Sequence, residues 1–406
     1  MKQWYADLHV HSRFAYACAR DLTAITLAAA AAFRGLRLIG TGDFTHPVWA
    51  AELRELLIPA GGDLFRLRPD LILPHIPRMG DVHFVISTEV STIFRREGRV
   101  HKVHHLIFVP TWEVASRLSD KLRVIGRLDA DGRPVLKLDA RDLLEMVLEA
   151  GEGSFLVPAH VWTPWFSALG ARGGFSSLSA CYGDLTPHIF AVETGLSADP
   201  AMMRRCSELD GRRLLSSSDA HSAPSLGREA TVFTGDLSFE GLRLALGTGD
   251  GYGGTLEMYP EEGKYHYDGH RLCGVVLAPR ESLALEGRCP ICHKRLTEGV
   301  AGRVEVLADR PPEDAPRLEN SRHILALPQV IGQVAGSGPA SRGVQHLLSK
   351  LVTHVAPELE MLTTVPMEEI HPHHENLAEA ISRLRRGEVE VSPGYDGVYG
   401  RVKVWG

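Results

Sequence analysis

The segment Asp7-Leu-His-Val-His-Ser12 ("DLHVHS") decides how this chain is read. It closes an apolar run predicted as a strand over Trp4–His9. Alternate residues of a strand share a face, so His9 and His11 present both imidazoles to one side. Alone, such a pair is equally well explained as two polar residues at a strand end. The pattern then recurs along the chain. A strand predicted over Leu36–Thr41 runs into "TGDFTH", with Asp43 and His46; another over His83–Glu89 ends on Glu89. Val103–Val109 carries His104 and His105, Phe155–Ala159 leads into His160, and Leu214–Ser218 leads into Asp219 and His221. Each time an apolar strand meets a histidine or carboxylate near its carboxyl end, and β/α barrels assemble active sites from those ends. Mixed imidazole and carboxylate donors suit zinc, manganese or iron. Consecutive strand residues face opposite sides, so only one of His104 and His105 points into such a site. Ser216, Ser217 and Ser218 read as small strand-end residues and not as nucleophiles.

Between these strands, and a further one over Ile189–Glu193, lie helix candidates at Leu22–Phe33, Val48–Leu57, Trp112–Ile125 and Ala140–Ala150. Repeated βα units predict parallel strands, in a barrel or a doubly wound sheet. Three regions are expected: residues 1–250, a cysteine-containing module over 251–309, and a mainly helical region over 310–406 entered through "RPPEDAP" and closed by a β-hairpin. The formal net charge of −6 gives no bulk signal for nucleic acid, although carboxylates that hold metal would be neutralised by it. No signal-peptide pattern and no bilayer-length apolar stretch are present, so a cytoplasmic location without membrane contact is expected.

"DLHVHS", "TGDFTH", the Glu89 strand, "VHHLIF", "VPAH" and "SSDAHS" resemble the ordered motifs of the PHP superfamily over residues 1 to about 235. That resemblance implies a distorted seven-stranded (β/α)7 barrel binding two or three divalent ions (zinc, manganese or magnesium) that activate water for phosphoester hydrolysis. Carried over, His9, His11, Glu89 and Asp219 hold one ion. A second shares Glu89 and adds His105 and His160, and a third uses Asp43 and His221. Glu89, His160 and Asp219 are the catalytic candidates. The stretch "RFAYACAR" lacks a histidine that many members use for the third ion, and His46 is the candidate substitute.

His270 and Cys273 form H-x-x-C, and Cys289 and Cys292 form C-x-x-C within "RCPICHK". Two pairs at that spacing are what a closed tetrahedral zinc site needs, with His266 or His293 as alternatives to His270. A PHP-like region followed by "EGKYHYDGHRLCGV", "GRCPICHKRLTEGV" and the terminal "PGYDGVYG" resembles the endonuclease Q family over essentially the whole chain. The resemblance implies cleavage of DNA on the 5′ side of deaminated bases (uracil, hypoxanthine, xanthine) and abasic sites, with one structural zinc. Such an enzyme takes the damaged base out of the stack. Trp162, Trp165 and Tyr265 are candidates for stacking on it, and Arg13 for a phosphate contact. A histidinol-phosphate-type phosphatase and a non-catalytic nucleic-acid-binding subunit are the competing readings. No clear sliding-clamp peptide is present, and that partner stays open.

Overall fold

The computed structural model describes residues 3–316 and 320–406. It begins as predicted, with β1 (Trp4–Asp7), α1 (Ala24–Arg34), β2 (Leu36–Gly40) and α2 (Pro47–Leu56). The start of α1 is set by Thr23, whose hydroxyl accepts from Thr26 N–H in a capping box. Its end is set by Gly35, at φ 92°. Leu27, Ala28 and Ala31 bury one face of this helix.

The alternation then breaks. β3 (Leu57–Gly61) and β4 (Leu64–Leu67) form a hairpin; β5 (His83–Val85) follows, then β6 (Ser87–Arg96) and β7 (Arg99–Phe108) as an antiparallel pair. The two-residue loop Glu97-Gly98 has positive φ at both positions (51° and 78°), the type I′ geometry whose twist matches a hairpin. Next come α3 (Trp112–Ile125), β8 (Val135–Leu136), α4 (Ala140–Ala150), β9 (Phe155–Pro158), α5 (Leu178–Tyr182), β10 (Ala191–Glu193), α6 (Pro200–Met203), β11 (Arg213–Leu215), β12 (Ala230–Phe233), α7 (Phe239–Thr248) and β13 (Tyr252–Glu257).

The cysteine-containing segment contributes β14 (Asp268–His270), β15 (Val275–Leu277), α8 (Pro279–Ala284) and α9 (Val300–Leu307). After β16 (Arg322–His323), the chain is mainly helical, with α10 (Leu327–Ala335), α11 (Arg342–His354), α12 (Glu358–Thr363), α13 (Met367–Ile370) and α14 (Glu375–Arg385). It closes on the expected hairpin, β17 (Glu390–Ser392) with β18 (Arg401–Lys403).

The fold is a mixed α/β structure. Its larger sheets are eight-stranded (β16-β13-β12-β1-β2-β5-β4-β3) and four-stranded (β8-β6-β7-β9), with β10 and β11 a separate parallel pair. Among the described strands, parallel ladders are β1-β2-β5, β6-β8, β10-β11 and β13-β16, so the purely parallel arrangement expected from βα repeats is replaced by hairpins elsewhere. Backbone hydrogen bonds join the sheets just beyond the strands: Val161 N to Glu193 O, and His11 N to Ala220 O with Ala220 N to His9 O. The C-terminal region is tied to these sheets. β16 extends β13, Arg34 pairs with Glu358 of α12, and Arg310 pairs with Asp210. Among the described residues, no helix is long and apolar enough to cross a membrane.

Candidate metal centre

Two clusters form here: His9, His11 and the partly exposed Asp219, all just beyond strands, and the buried Glu89 on β6, His104 on β7 and His160 after β9. Glu89, fully buried on β6, connects them. Its Oε2 lies 3.6 Å from His9 Nε2 and 3.3 Å from His11 Nε2, while Oε1 lies 2.7 Å from His104 Nδ1 and 3.2 Å from His160 Nε2. Asp219 Oδ1 sits 3.5 Å from His9 Nε2 and 3.1 Å from His11 Nε2.

His9 Nε2, His11 Nε2 and Asp219 Oδ1 are buried without a hydrogen-bond partner. Unpaired buried polar atoms are costly, and three facing one point are what a divalent cation would satisfy. The other nitrogen of each imidazole is fixed by a carboxylate: His9 Nδ1 by Glu193 at 3.0 Å, and His11 Nδ1 by Asp43 at 3.0 Å. Carboxylate–histidine pairs of this kind orient metal-binding imidazoles and set their tautomer. The donor set therefore fits metal.

The electrostatics agree. Burial alone would raise Glu89, but His104, His9 and Arg133 hold it well below the usual carboxylate range. Burial is likewise outweighed at Asp219, by His9 and His11. Burial opposes protonation of His9 and His11 too, yet the surrounding carboxylates raise both well above the ordinary imidazole value. A field that retains protons on two buried imidazoles also favours a divalent cation in their place. His104 is pushed down to about 4, chiefly by burial and against the pull of Glu89.

The backbone is strained at the same place. Asp43, His160 and Asp219 have φ of 48°, 29° and 48°. Non-glycine residues in this region cost about 1–3 kcal/mol each and cluster at functional sites. Gly195 lies against His160, where a Cβ would come within 2.4 Å of the histidine Cβ, so a side chain there would displace the imidazole.

Several expected roles need correction. His105 is turned away from the centre: its Nε2 lies 2.9 Å from Thr92 Oγ1, and its Nδ1 3.0 Å from the Tyr182 hydroxyl. His104 takes the inward position, because the hairpin pairs it with Ser91, two residues from Glu89 on the same face. Asp43 is spent on positioning. Its Oδ1 meets His11, and its Oδ2 accepts from Ser12 N–H at 2.6 Å and the Ser12 hydroxyl at 2.7 Å. His46 caps α2 by accepting from Trp49 N–H and stacks on Phe14. His221 lines the cleft with Nδ1 donating to Asp219 O, and among the described residues it joins Asp43 in no converging group. Both Asp43 carboxylate oxygens are thus engaged with His11 and Ser12 and His221 Nδ1 with Asp219 O, and a third ion on Asp43 and His221 stays a proposal.

Two residues were missed by reading strand ends for metal ligands. Glu193 ends β10 and holds both His9 Nδ1 and His160 N–H (2.7 Å); its place at a strand end was the available signal. Arg133 has no such signal, since it arrives from the loop before β8. Its guanidinium lies 3.1 Å from Glu89 Oε2. Together with Trp165, Ser197, Asp219 and His221 it lines a cleft of about 290 Å³.

Of the substrate candidates, Trp165 is half exposed at this cleft and meets Tyr265 edge to face, 5.6 Å between centroids. Trp162 is instead a core residue, fully buried with Nε1 donating to Met203 Sδ at 2.9 Å. Arg13 pairs with Glu52 and packs on Phe14 outside the cleft lining. Both lose their expected roles, because packing and an ion pair already account for them.

In the second predicted site, ligand atoms of His270, Cys273, Cys289 and Cys292 all lie within 4.8 Å of one another. His266 is buried against Tyr267, so His270 is the histidine brought to the cysteines. Burial would raise the Cys289 thiol, but N–H groups of Cys292 and Ile291 bring it down to about 6, pre-forming one thiolate.

A family model described as the MJ0043 C-terminal domain matches residues 326–388, which span α10 to α14. The chain is 29% identical over 254 residues to "Uncharacterized protein MJ0043" of Methanocaldococcus jannaschii, covering 60% of this chain but only 31% of that protein. Among solved structures, it is 30% identical to the lesion-specific endonuclease PfuEndoQ from Pyrococcus furiosus. The TM-score is 0.86, over 99% of this chain and 95% of that one. An endonuclease Q in complex with a 27-mer duplex bearing an abasic lesion at the active site matches with TM-score 0.83 and 30% identity, over 99% and 96% of the two chains.

Proposed function

Because the chain belongs to the endonuclease Q family, we propose that it is a DNA-repair endonuclease hydrolysing the phosphodiester 5′ of deaminated bases (uracil, hypoxanthine, xanthine) and of abasic sites. The observation that carries this reading is the Glu89-bridged pair of buried clusters, in a chain that aligns over nearly its whole length with a lesion endonuclease. We read the sheets as the wall of a distorted seven-stranded barrel of PHP type. Residues 1–250 form the catalytic part, 251–309 a zinc module, and 310–406 a DNA-binding region in a cytoplasmic protein.

His9, His11, Glu89 and Asp219 would hold one divalent ion, and Glu89, His104 and His160 a second. Ions bound there would acidify a water and neutralise charge developing on phosphorus. The chain's own residues do the rest. Glu193 and Asp43 lock the imidazoles. Arg133 spends one nitrogen on Glu89, leaving further N–H groups to grip a non-bridging phosphate oxygen. Trp165 and Tyr265 offer apolar faces to an extruded nucleoside, each worth about 1–3 kcal/mol if stacked. Extrusion itself costs a few kcal/mol and least for a damaged base, which favours lesions over intact DNA.

The test is to present purified protein and manganese or zinc with uracil-containing, abasic and undamaged duplexes, and in parallel with histidinol phosphate. Metal-dependent nicks 5′ of the lesion, with histidinol phosphate untouched, are expected. Phosphate release without nicking would transfer the chain to the metabolite-phosphatase reading.

A further inference from the structure

We propose that Thr163 is a positioning residue that couples the loop carrying Trp165 to one ion of the metal centre. Its hydroxyl links the Trp165 backbone to the His160 ring, so that a nucleoside seated on Trp165 tightens the ion held by Glu89, His104 and His160. This inference rests on the nuclease reading above.

The imidazoles of the centre are held in different ways. His9 and His11 lean on carboxylates from distant segments, Glu193 and Asp43. The His160 ring leans instead on a hydroxyl three residues along its own loop. Its Nδ1 lies 2.8 Å from Thr163 Oγ1, while its Nε2 lies 3.2 Å from Glu89 Oε1 and 3.2 Å from His104 Nδ1. Thr163 Oγ1 is also 3.1 Å from His160 O and 3.1 Å from Trp165 O. Carbonyls only accept, so the hydroxyl gives its one proton to them and turns a lone pair toward Nδ1. Nδ1 then carries the proton of the neutral ring, and Nε2 keeps the lone pair that a metal ion needs.

One proton with two acceptors at equal distance is a two-state element, and the position of Trp165 biases it. Thr163 itself is held from behind. The Ser167 hydroxyl donates to Thr163 O, and a Cβ at Gly170 would come within 2.1 Å of that oxygen. Trp165 is 49% exposed, so it is the side of this contact that a ligand can reach. Beside it, Phe166 O accepts from His104 N–H at 3.1 Å, and the Phe166 ring packs on the His104 ring with 4.8 Å between centroids. One loop therefore touches both histidines of the Glu89 cluster, whereas the anchors of His9 and His11 lie outside it. A base stacked on Trp165 fixes the Trp165 carbonyl and, through Thr163, the His160 ring. Such coupling is reciprocal, so the ion at His160 also tightens the hold on the lesion.

The experiment titrates manganese into metal-stripped protein and counts free manganese by electron paramagnetic resonance. It is run without DNA, with a saturating duplex already nicked 5′ of an abasic site, and with a nicked duplex lacking the lesion. Neither duplex can turn over. In wild type the lesion duplex should tighten one of two manganese sites about 5–150-fold over the control duplex, the usual range of such coupling. Thr163→Val, which keeps the shape and removes the hydroxyl, should weaken that site about 10–100-fold without DNA. It should leave the other site unchanged and abolish the lesion response, and Thr163→Ser should restore both properties. Trp165→Ala keeps its backbone carbonyl, so both sites should bind as in wild type without DNA while the lesion response is lost. This variant decides alone if Thr163→Val does not fold. Wild-type binding and lesion response in Thr163→Val, equal weakening of both sites, no restoration by Thr163→Ser, or a full lesion response in Trp165→Ala each overturns the inference. With wild type nicking normally, any of these leaves the nuclease reading standing. A wild type that does not nick an abasic duplex removes both.

Discussion

His104 and His105 are chemically identical neighbours with opposite surroundings. His104 meets Glu89 and His160 across the metal centre, while both ring nitrogens of His105 are taken by Thr92 and Tyr182. The consequence is a double dissociation. His104→Ala should lose bound metal and nicking activity by at least about 100-fold with little change in melting temperature. His105→Ala should keep its metal and be destabilised by about 1–3 kcal/mol, the cost of stranding the buried Tyr182 hydroxyl. Metal analysis and thermal melts of the two variants check this, and the reverse pattern would restore His105 as the ligand. Glu193 acts through His9 and not on the metal itself, so Glu193→Gln should weaken metal binding about 10–100-fold without abolishing it. Metal titration of the stripped protein reads this directly.

At the scale of elements, the β6–β7 hairpin shows what was legible. Apolar runs located β7, α3 and α4, the two helices at their predicted limits, but the strand expected over His83–Glu89 is divided between β5 and β6, and Glu89 lies near the start of β6 and not at a strand end. The inward histidine was readable too, but only through the turn: a two-residue Glu97-Gly98 loop pairs Arg96 with Arg99 and, counting back, Ser91 with His104. Family pattern pointed to the wrong neighbour where register decides. Roles that depend on contacts far apart in sequence were not readable, such as Trp162 packing on Met203 or Asp43 gripping Ser12 and His11.

β12 and β13 carry a further consequence. Glu229, just before β12, and Glu257, at the end of β13, are both buried and share the Ser216 hydroxyl. Burial raises Glu257 to about 7, and burial together with Glu257 raises Glu229 well above the ordinary value. Raised folded-state values mean stability that is fully present below the ordinary glutamate range, near 4.3, and lost as pH rises through about 7. Glu257→Gln should therefore flatten the fall of melting temperature between pH 5 and 8. An unchanged pH profile would show that the pair does not titrate in this window.

Across the whole molecule, distant segments hold one another. The turn carrying Tyr395 and Asp396 is bonded to the cysteine-containing segment through Tyr267, Arg271 and Thr297, and α9 is bonded through Arg303 to the segment between β9 and α5. A metal held by His270, Cys273, Cys289 and Cys292 would add folding energy to these ties. Cys289→Ser should thus lower the thermal stability and open residues 264–307 to protease while the barrel ions stay bound. Loss of the barrel ions as well would mean that the two metal sites are coupled.

Set between the two clusters, Glu89 would be the ligand shared by two ions that cut DNA beside a lesion. Nicking of an abasic duplex by metal-stripped protein titrated with manganese, wild type against Glu89→Gln, tests this role. No nicking is expected without metal, nicks should appear on the 5′ side of the lesion as two ions bind per chain, and the variant should lose both ions and nicking. Nicking without metal, or a Glu89→Gln variant that binds two ions and cuts at the wild-type rate, would contradict it.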